Sequence, residues 1–308
     1  MTIAIIDCGT NTFNLLIAEV VDQKWTVLFE NKLAVKLGAG GFDQKKIVPS
    51  RMIRGMDALQ CHRSNIRNFQ VEKVKVFATS AIREATNGND FVKLVKEILD
   101  LDIEVIDGDR EAELIYKGIK ATIDLGDEPS LMIDIGGGST EIIIGNRHEI
   151  FWKKSYLLGV SRLHERVNPS DRLTHEDTTK LKRIFEESFS DLKVALEKYP
   201  CTQLIGSSGS FDTIFALYKH SEPSLKEVPF ELLNEIPISY FPTMHIWLMG
   251  STYDQRLKHP AIPSIRAEYM PLASYLVKTI LEMGTFKKMY HSAYALKEGA
   301  ILEAAGMG

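Results

Sequence analysis

The chain has 308 residues, of which 44% are hydrophobic and 25% charged, and its formal net charge is −4. These values are typical of a globular protein with about two domains, and the negative charge argues against nucleic acid as a partner. No apolar run approaches the ~20 residues that a membrane span needs, and the N-terminus lacks the features of a signal peptide. The widely spaced Cys8, Cys61 and Cys201 favour reduced thiols and a cytoplasmic location.

Short apolar runs alternate with amphipathic stretches along the first 125 residues. Strands are predicted at 3–6, 15–20, 25–36, 74–78 and 103–106. Helices are predicted at 50–69, 90–100 and 110–123. A turn near Asp22 joins the second and third strands. This alternation is typical of an α/β fold, with a mixed or parallel sheet flanked by helices.

The segment 125–130, which contains Gly126 and Pro129, interrupts this pattern. Further strands are predicted after it at 131–134, 141–145, 149–155 and 203–205. Helices are predicted at 175–198, after Gly209 and at 295–305. We therefore predict two domains, 1–125 and 126–308, with the C-terminal segment 295–308 as a candidate to pack on the first domain.

An internal repeat supports the two-domain prediction. Placing Asp7 over Asp134 aligns IIDCGTNTFNLLIA with MIDIGGGSTEIIIG without a gap, and Asn14 then falls over Glu141. In both copies an apolar strand leads through Asp-x-Gly into a polar loop and then into a second apolar strand. The repeat indicates a duplicated fold in which both loops face one cleft.

The second copy, DIGGGSTE, has the chemistry of a phosphate-binding loop. Glycines allow a ligand to approach the backbone closely, and successive N–H groups form an anion-binding concavity. Asp134 and Glu141 bracket the loop with the hard oxygen ligands that Mg²⁺ prefers. A plain glycine-rich hairpin with solvated acids is the alternative interpretation. The candidate phosphate-binding residues of this loop are Gly136, Gly137, Gly138, Ser139 and Thr140.

Two other loops are weaker candidates for binding phosphate. DCGTNTFN has one glycine and several side-chain donors, and it lacks the lysine and spacing of a P-loop, so a Walker-type NTPase is not expected. IGSSGSFDT leads from a strand into a helix, whose N-terminus could bind an anion or could simply be capped by serine. The candidates in these loops are Gly9, Thr10, Asn11, Thr12, Gly209 and Ser210.

Six segments, in this order, resemble exopolyphosphatases and guanosine pentaphosphate phosphohydrolases, the Ppx/GppA family. They are DCGTNTFNLLIAEV, ATSAIREA, IDGDREAELIYKG, IDIGGGSTEIIIG, LLGVSRLHERV and ALKEGAILE. The resemblance implies two ribonuclease-H-like domains of the actin/hsp70/sugar-kinase superfamily with a cleft between them. It also implies metal-dependent hydrolysis of the terminal phosphoanhydride of polyphosphate, guanosine pentaphosphate or both.

The resemblance also implies roles for particular residues. Glu111 corresponds to the general base of the family, and Arg83 to an arginine that contacts phosphate. Asp134 and Glu141 correspond to the metal and phosphate site, with Mg²⁺ as the expected ion, and Asp7 holds a water on the same ion. The alternatives are that Glu111 is a solvated glutamate in the first turn of a helix and that Arg83 forms a surface ion pair.

The sequence departs from the family pattern at three positions near these residues. Arg110 and Glu113 reverse the usual charges around Glu111, and Asn14 stands where many members carry arginine or histidine. The chain matches a short form with two domains. The charge reversal leaves open a non-catalytic sensor of alarmone or polyphosphate, and the superfamily leaves open a kinase of the sugar or acetate type.

Two features allow more than one interpretation. The predicted helix 50–69 is basic and offers either a track for a polyanion or a solvated face. The oligomeric state is open, with a homodimer as one expected form. The basic residues of this helix are Arg51, Arg54, His62, Arg63 and Arg67.

Overall fold

A computed structural model describes residues 1–225 and 229–307. The predicted second domain, 126–308, and the C-terminal segment, 295–308, therefore include positions that lie outside the described residues. In the described part the chain forms two mixed sheets with helices packed around them. No helix in this part is both long enough and apolar enough to cross a membrane.

The first half contains five strands and four helices, and all but the short second helix lie close to predicted positions. The hairpin between the second and third strands turns at Asp22 and Gln23, whose φ angles are 50° and 59°. The strands are β1 (Thr2–Cys8), β2 (Thr12–Val21), β3 (Lys24–Ala34), β4 (Lys73–Ala78) and β5 (Ile103–Val105). The helices are α1 (Pro49–Asn68), α2 (Ser80–Arg83), α3 (Gly88–Leu99) and α4 (Gly108–Lys120).

The described part of the second half is larger because helices and one strand are added to the same plan. Its strands are β6 (Ser130–Ile135), β7 (Thr140–Gly145), β8 (Ile150–Tyr156), β9 (Gln203–Ser207), β10 (Leu233–Ile236) and β11 (Lys288–Ser292). Its helices are α5 (Val160–Val167), α6 (His175–Ser188), α7 (Ser190–Lys198), α8 (Ser208–Ser221), α9 (Phe241–Gly250), α10 (Tyr253–Leu257), α11 (Met270–Met283) and α12 (Leu296–Ala304).

The two sheets repeat one topology. The first has the strand order β3-β2-β1-β4-β5, and the second has β8-β7-β6-β9-β11 with β10 added at its edge. Asp7 pairs with Asn14 across β1 and β2, and Asp134 pairs with Glu141 across β6 and β7. The predicted α/β fold of two duplicated units is thus confirmed, whereas the boundary at 125 stays a prediction.

Helices α4 and α12 pack against each other in a core that contains residues of both sheets. Gly118 of α4 faces the backbone of Ala295, and Gly299 of α12 faces the backbone of Leu114, so the two helix backbones approach closely. Helix α12 also contacts β1. This core includes Ile5 and Phe77 of the first sheet, Ile115 of α4, Met132 and Ile143 of the second sheet, and Ile301 of α12.

Two features of the helices differ from the sequence predictions. The predicted helix 175–198 is two helices, because α6 ends at Phe189, whose buried ring packs edge-on against Tyr156 at 5.0 Å. Periodicity alone could not show this break, since both segments are amphipathic. In α1, His62 is fully buried and approaches the carbonyl oxygen of Phe13 at 3.2 Å, so it is not part of an exposed basic track.

Candidate active site

A cleft of about 430 Å³ brings the three predicted loops together. Loops from both sheets line it, as does the first turn of α4. The end of β3 and the start of α12 complete its wall. The predicted site residues that line the cleft are Asp7, Gly9, Thr10, Asn11, Thr12, Glu111, Asp134, Gly136, Gly137, Gly138, Ser139, Glu141 and Gly209.

Two residues predicted to bind phosphate have other contacts. The hydroxyl of Thr140 donates to the carbonyl oxygen of Leu158 at 3.1 Å, and that of Ser210 donates to the carbonyl oxygen of Ile135 at 3.2 Å. Both side chains are buried, and neither lines the cleft. Their hydroxyl groups thus hold backbone segments together, and their contact with phosphate stays a prediction.

The backbone of the glycine loop is oriented by α5. The carbonyl oxygens of Gly136 and Gly137 accept from the amides of Val160 and Ser161 at 3.0 and 2.9 Å. The carbonyl oxygen of Gly138 accepts from the Arg162 side chain at 2.9 Å. In a trans peptide the N–H of the next residue points opposite to the carbonyl, so three successive N–H groups, those of residues 137–139, point away from α5.

These three N–H groups are candidates to bind an anion in the cleft. Within the described residues, none of them donates a hydrogen bond to another protein group. All three residues line the cleft. Buried N–H groups need acceptors, and successive N–H groups suit the oxygens of a phosphate. The prediction that this loop could cradle phosphate is therefore supported by its geometry.

The glycines of this loop are required by a close approach between the two repeats, not by unusual dihedral angles. A Cβ atom at Gly137 would lie 2.8 Å from the side chain of Asn11, and one at Gly138 would lie 2.5 Å from the hydroxyls of Thr10 and Ser80. Neither glycine has a positive φ angle. The loop of the first repeat thus packs directly on that of the second.

Four of the acidic residues that line the cleft were predicted site residues, and each is held by a hydrogen bond. Arg83 holds Glu111, which comes from α4, whereas the other three acids lie on or beside the central strands of the two sheets. The donor–acceptor distances are 2.9 Å for Asn14 to Asp7, 2.6 and 3.0 Å for Ser208 and Ser207 to Asp134, 2.7 Å for Ser155 to Glu141, and 2.9 Å for Arg83 to Glu111.

Burial raises the pKa of all four acids. It raises the pKa of Asp7 to about 6 and, with the neighbouring charge of Asp134, that of Glu141 to about 7. Burial, followed by the charge of Glu141, raises the pKa of Glu111 well above its usual value. Burial also raises the pKa of Asp134, although two serine hydroxyls oppose the shift. Such mutually repelling carboxylates are typical of a site that binds a cation.

The residues present fit a divalent metal ion that keeps much of its water shell. Among the described residues, no three acidic, histidine or cysteine side chains converge as a ready-made ligand set. Mg²⁺ is commonly bound by one or two carboxylates, with water and substrate phosphates as the other ligands. Asp134 and Glu141, which are cross-strand neighbours, would hold such an ion beside the N–H cradle.

Ser208 was not singled out in the sequence, although its neighbours Gly209 and Ser210 were. It has a φ of 63° at the junction of β9 and α8, a conformation that side chains other than glycine rarely adopt. This conformation accompanies the 2.6 Å hydrogen bond from its hydroxyl to Asp134. Backbone strain of this kind is often found at functional sites.

Arg83 contacts Glu111 instead of lining the cleft. Its guanidinium donates to the Glu111 carboxylate at 2.9 Å, to the carbonyl oxygen of Ile106 at 3.0 Å and to Glu84 at 3.2 Å. Glu111 is only 7% exposed, so it is not a solvated helix glutamate. The structure therefore places Arg83 as the group that orients Glu111, while its contact with phosphate stays a prediction.

The reversed charges next to Glu111 lie outside the cleft. Arg110 forms an ion pair with Glu303 of α12, and Glu113 forms one with Lys153 of β8 at 2.5 Å. Neither Arg110 nor Glu113 lines the cleft. These residues hold α4 to its neighbours, and the main charges that act on the pKa of Glu111 are instead those of Glu141, Arg83 and Asp7.

Sequence reasoning missed three cations and three acids that line the cleft. Arg266, 8% exposed, comes from the loop before α11 and lies against Gly209. Lys32 and Arg266 are distant in sequence from the three loops, so no local pattern signals them, whereas Asp212 lies within the segment IGSSGSFDT itself. The missed residues are Glu30, Lys32, Asp212, Arg266, Lys297 and Glu298.

Comparison with known proteins identifies the family. A sequence model of the Ppx/GppA phosphatase family matches residues 16–307. A curated relative from Photobacterium profundum, named guanosine-5'-triphosphate,3'-diphosphate pyrophosphatase, is 28% identical over 97% of this chain. The chain spans only 58% of that relative's length.

Solved structures agree with this match. An exopolyphosphatase from Cytophaga hutchinsonii is 34% identical, with a TM-score of 0.95 over 99% of this chain and 98% of its own. A Ppx/GppA protein from Aquifex aeolicus, 23% identical, shares the fold with a TM-score of 0.81 over 99% of this chain and 97% of its own. The chain is thus a two-lobed α/β protein of a phosphatase class. It belongs to the Ppx/GppA phosphatase family, which confirms the resemblance seen in the sequence and the predicted class of enzyme.

Proposed function

We propose that this protein hydrolyses the terminal phosphoanhydride bond of inorganic polyphosphate, guanosine pentaphosphate or both, and releases orthophosphate with the help of a divalent metal ion. The names of the relatives support this substrate class. The main structural support is the cleft itself, where three unpaired N–H groups lie among Asp7 and the buried acids Glu111, Asp134 and Glu141. A polyanion can enter such an acidic cleft only if cations neutralise the carboxylates.

In this proposal the N–H groups of residues 137–139 bind the oxygens of the terminal phosphoryl group. A metal ion bound by Asp134 and Glu141 would supply positive charge to the phosphoryl oxygens. Asn14, Ser155, Ser207 and Ser208 fix the carboxylates in place, so little reorganisation is needed as charge develops in the transition state.

Glu111 is the proposed general base. Its carboxylate accepts a proton from the attacking water while the water oxygen bonds to phosphorus and the bond to the bridging oxygen breaks. Burial raises its pKa, which makes the carboxylate a stronger base than an exposed glutamate. The hydrogen bond from Arg83 orients it, and the positive charge of Arg83 opposes the rise of its pKa.

The test compares Glu111→Gln with Glu113→Gln, a matched substitution on the same helix outside the cleft. Phosphate release is measured from polyphosphate and from guanosine pentaphosphate, with and without Mg²⁺. We expect Glu111→Gln to lower kcat by about 100-fold or more and Glu113→Gln to change it little. Equal rates for the two variants would show that Glu111 is not the base.

The two alternatives gain no support from the structure. The charge reversal that favoured a non-catalytic sensor is explained by the ion pairs of Arg110 and Glu113. Tight binding of either substrate without turnover in Mg²⁺ would nevertheless identify a sensor. ATP consumption that depends on an added acceptor would identify a kinase.

A further inference from the structure

The duplicated fold places one row of three residues across the central strands of each sheet. In the second sheet the row is Asp134, Glu141 and Ser155. In the first sheet the row is Asp7, Asn14 and Lys32, because Asn14 pairs with Asp7 on one side and with Lys32 on the other. The second row is therefore acidic, whereas the first has one acid and one cation.

The two rows differ in the hydrogen bonds and ion pairs that their residues form. The amide of Asn14 donates to Asp7 at 2.9 Å, just as Ser155 donates to Glu141 in the other row. Lys32 lines the cleft and forms no hydrogen bond or ion pair with any of the described residues. Lys297 cannot take its place, because Glu30 and Glu298 lie 3.2 and 3.4 Å from its ammonium group.

The charges around Lys32 favour an anionic ligand. Its closest electrostatic neighbours include two cations, Arg266 and Lys297, as well as the acids Asp7 and Asp212. The side chain of Lys32 is exposed at the cleft, and partial desolvation, followed by the charge of Arg266, lowers its pKa. An ammonium group in such surroundings gains from an added anion, since the protein provides no direct partner.

We propose that Lys32 binds a phosphate group of the substrate beyond the terminal one, and that it thereby contributes to the selection of substrates with several phosphates. This inference rests on the proposed function, because the subsite lies in the same cleft. The acidic row holds the scissile end, and the row with Lys32 holds the part of the chain that leaves. Inorganic polyphosphate and the 5'-phosphates of a nucleotide share this chemistry.

The experiment measures kcat and KM for Lys32→Gln on tripolyphosphate, on longer polyphosphate and on guanosine pentaphosphate. Lys24→Gln is the matched control, because Lys24 begins the same strand at the hairpin turn and does not line the cleft. We expect Lys32→Gln to raise KM about five- to tenfold with kcat within about twofold of the wild type. Lys32→Arg should restore most of the loss, and Lys24→Gln should behave like the wild type.

Salt dependence gives a second readout. The KM of the wild type should rise more steeply with ionic strength than that of Lys32→Gln, because one screened charge contact is missing in the variant. If kcat falls while KM is unchanged, Lys32 acts on the carboxylates and the proposal is wrong. Identical KM values for the Lys32 and Lys24 variants would also overturn it.

Binding separates this proposal from the proposed function. If the wild type hydrolyses none of the three substrates, the proposed function fails, but calorimetric titration with tripolyphosphate still tests Lys32. We then expect the Kd of Lys32→Gln to exceed that of Lys24→Gln by about five- to tenfold. Equal Kd values, with thermal unfolding curves that match the wild type, would reject the subsite.

Discussion

Replacing Glu141 by glutamine should remove a pH-dependent loss of stability. Glu141 is 1% exposed, and burial, together with the charge of Asp134, raises its pKa from 4.5 to about 7. The folded protein therefore binds a proton that the unfolded chain has already released between these two pH values. Stability falls as the pH rises through this window, and the loss is complete above pH 7.

The expected change in the free energy of unfolding follows from the pKa shift of Glu141. The difference between 4.5 and about 7 is about 2.5 pKa units. At 1.36 kcal/mol per unit this corresponds to about 3 kcal/mol as an upper limit. The uncharged amide of Glu141→Gln keeps the size of the side chain, so the variant lacks this contribution. It also lowers the repulsion felt by the neighbouring acids.

The assay is urea unfolding between pH 4.5 and 8 in the presence of a chelator. We expect the free energy of unfolding of the wild type to fall by up to about 3 kcal/mol more than that of Glu141→Gln across this range. Added Mg²⁺ should restore stability at pH 8 in the wild type more than in the variant. If the free energy of unfolding of Glu141→Gln depends on pH in the same way as that of Glu113→Gln and the wild type, burial does not destabilise the Glu141 carboxylate. That result would refute the reasoning.

Two further substitutions test the packing and the support of the site. A Cβ atom at Gly299 would lie 2.8 Å from the carbonyl carbon of Leu114 and closer still to its oxygen. We thus expect Gly299→Ala to lower stability by about 1–3 kcal/mol in thermal unfolding, whereas Gly250→Ala, which meets no atom within 4 Å, should raise it by up to about 1 kcal/mol. Ser208→Gly relieves the positive φ but removes a hydroxyl from Asp134, so phosphate release should need about tenfold more Mg²⁺ with stability nearly unchanged. An unchanged Mg²⁺ requirement would argue against Asp134 as a metal ligand.

Features that depend on neighbouring residues along the chain could be predicted from the sequence. The alternation of apolar and polar residues located the strands of the two repeats, because side-chain direction in a strand depends only on position. The gapless overlap of Asp7 with Asp134 predicted that Asn14 and Glu141 would occupy equivalent places. The structure bears this out as cross-strand pairs, since strand–turn–strand units of equal length form the same register.

Contacts between distant segments were decided only by the tertiary structure. Thr140 and Ser210 carry hydroxyl groups of the kind that often bind phosphate. Their hydroxyls instead donate to backbone carbonyls of residues that are distant in the sequence. Arg83 and Glu111 are 28 residues apart and meet because α2 and α4 follow the carboxyl ends of the adjacent parallel strands β4 and β5. No local sequence pattern shows which of several possible donors forms a hydrogen bond with a given acceptor.

The contributions of local sequence and of tertiary structure are most clearly separated for the charged residues of the cleft. The acids Asp134 and Glu141 follow from a motif, because a strand and its hairpin partner place them side by side. Lys32 comes from the edge strand β3, and Arg266 comes from a loop in the other half of the chain. Only folding brings these two cations into one cleft. Local sequence therefore determined the loops and acids of the site, whereas the packing of the two repeats decided which cations face them.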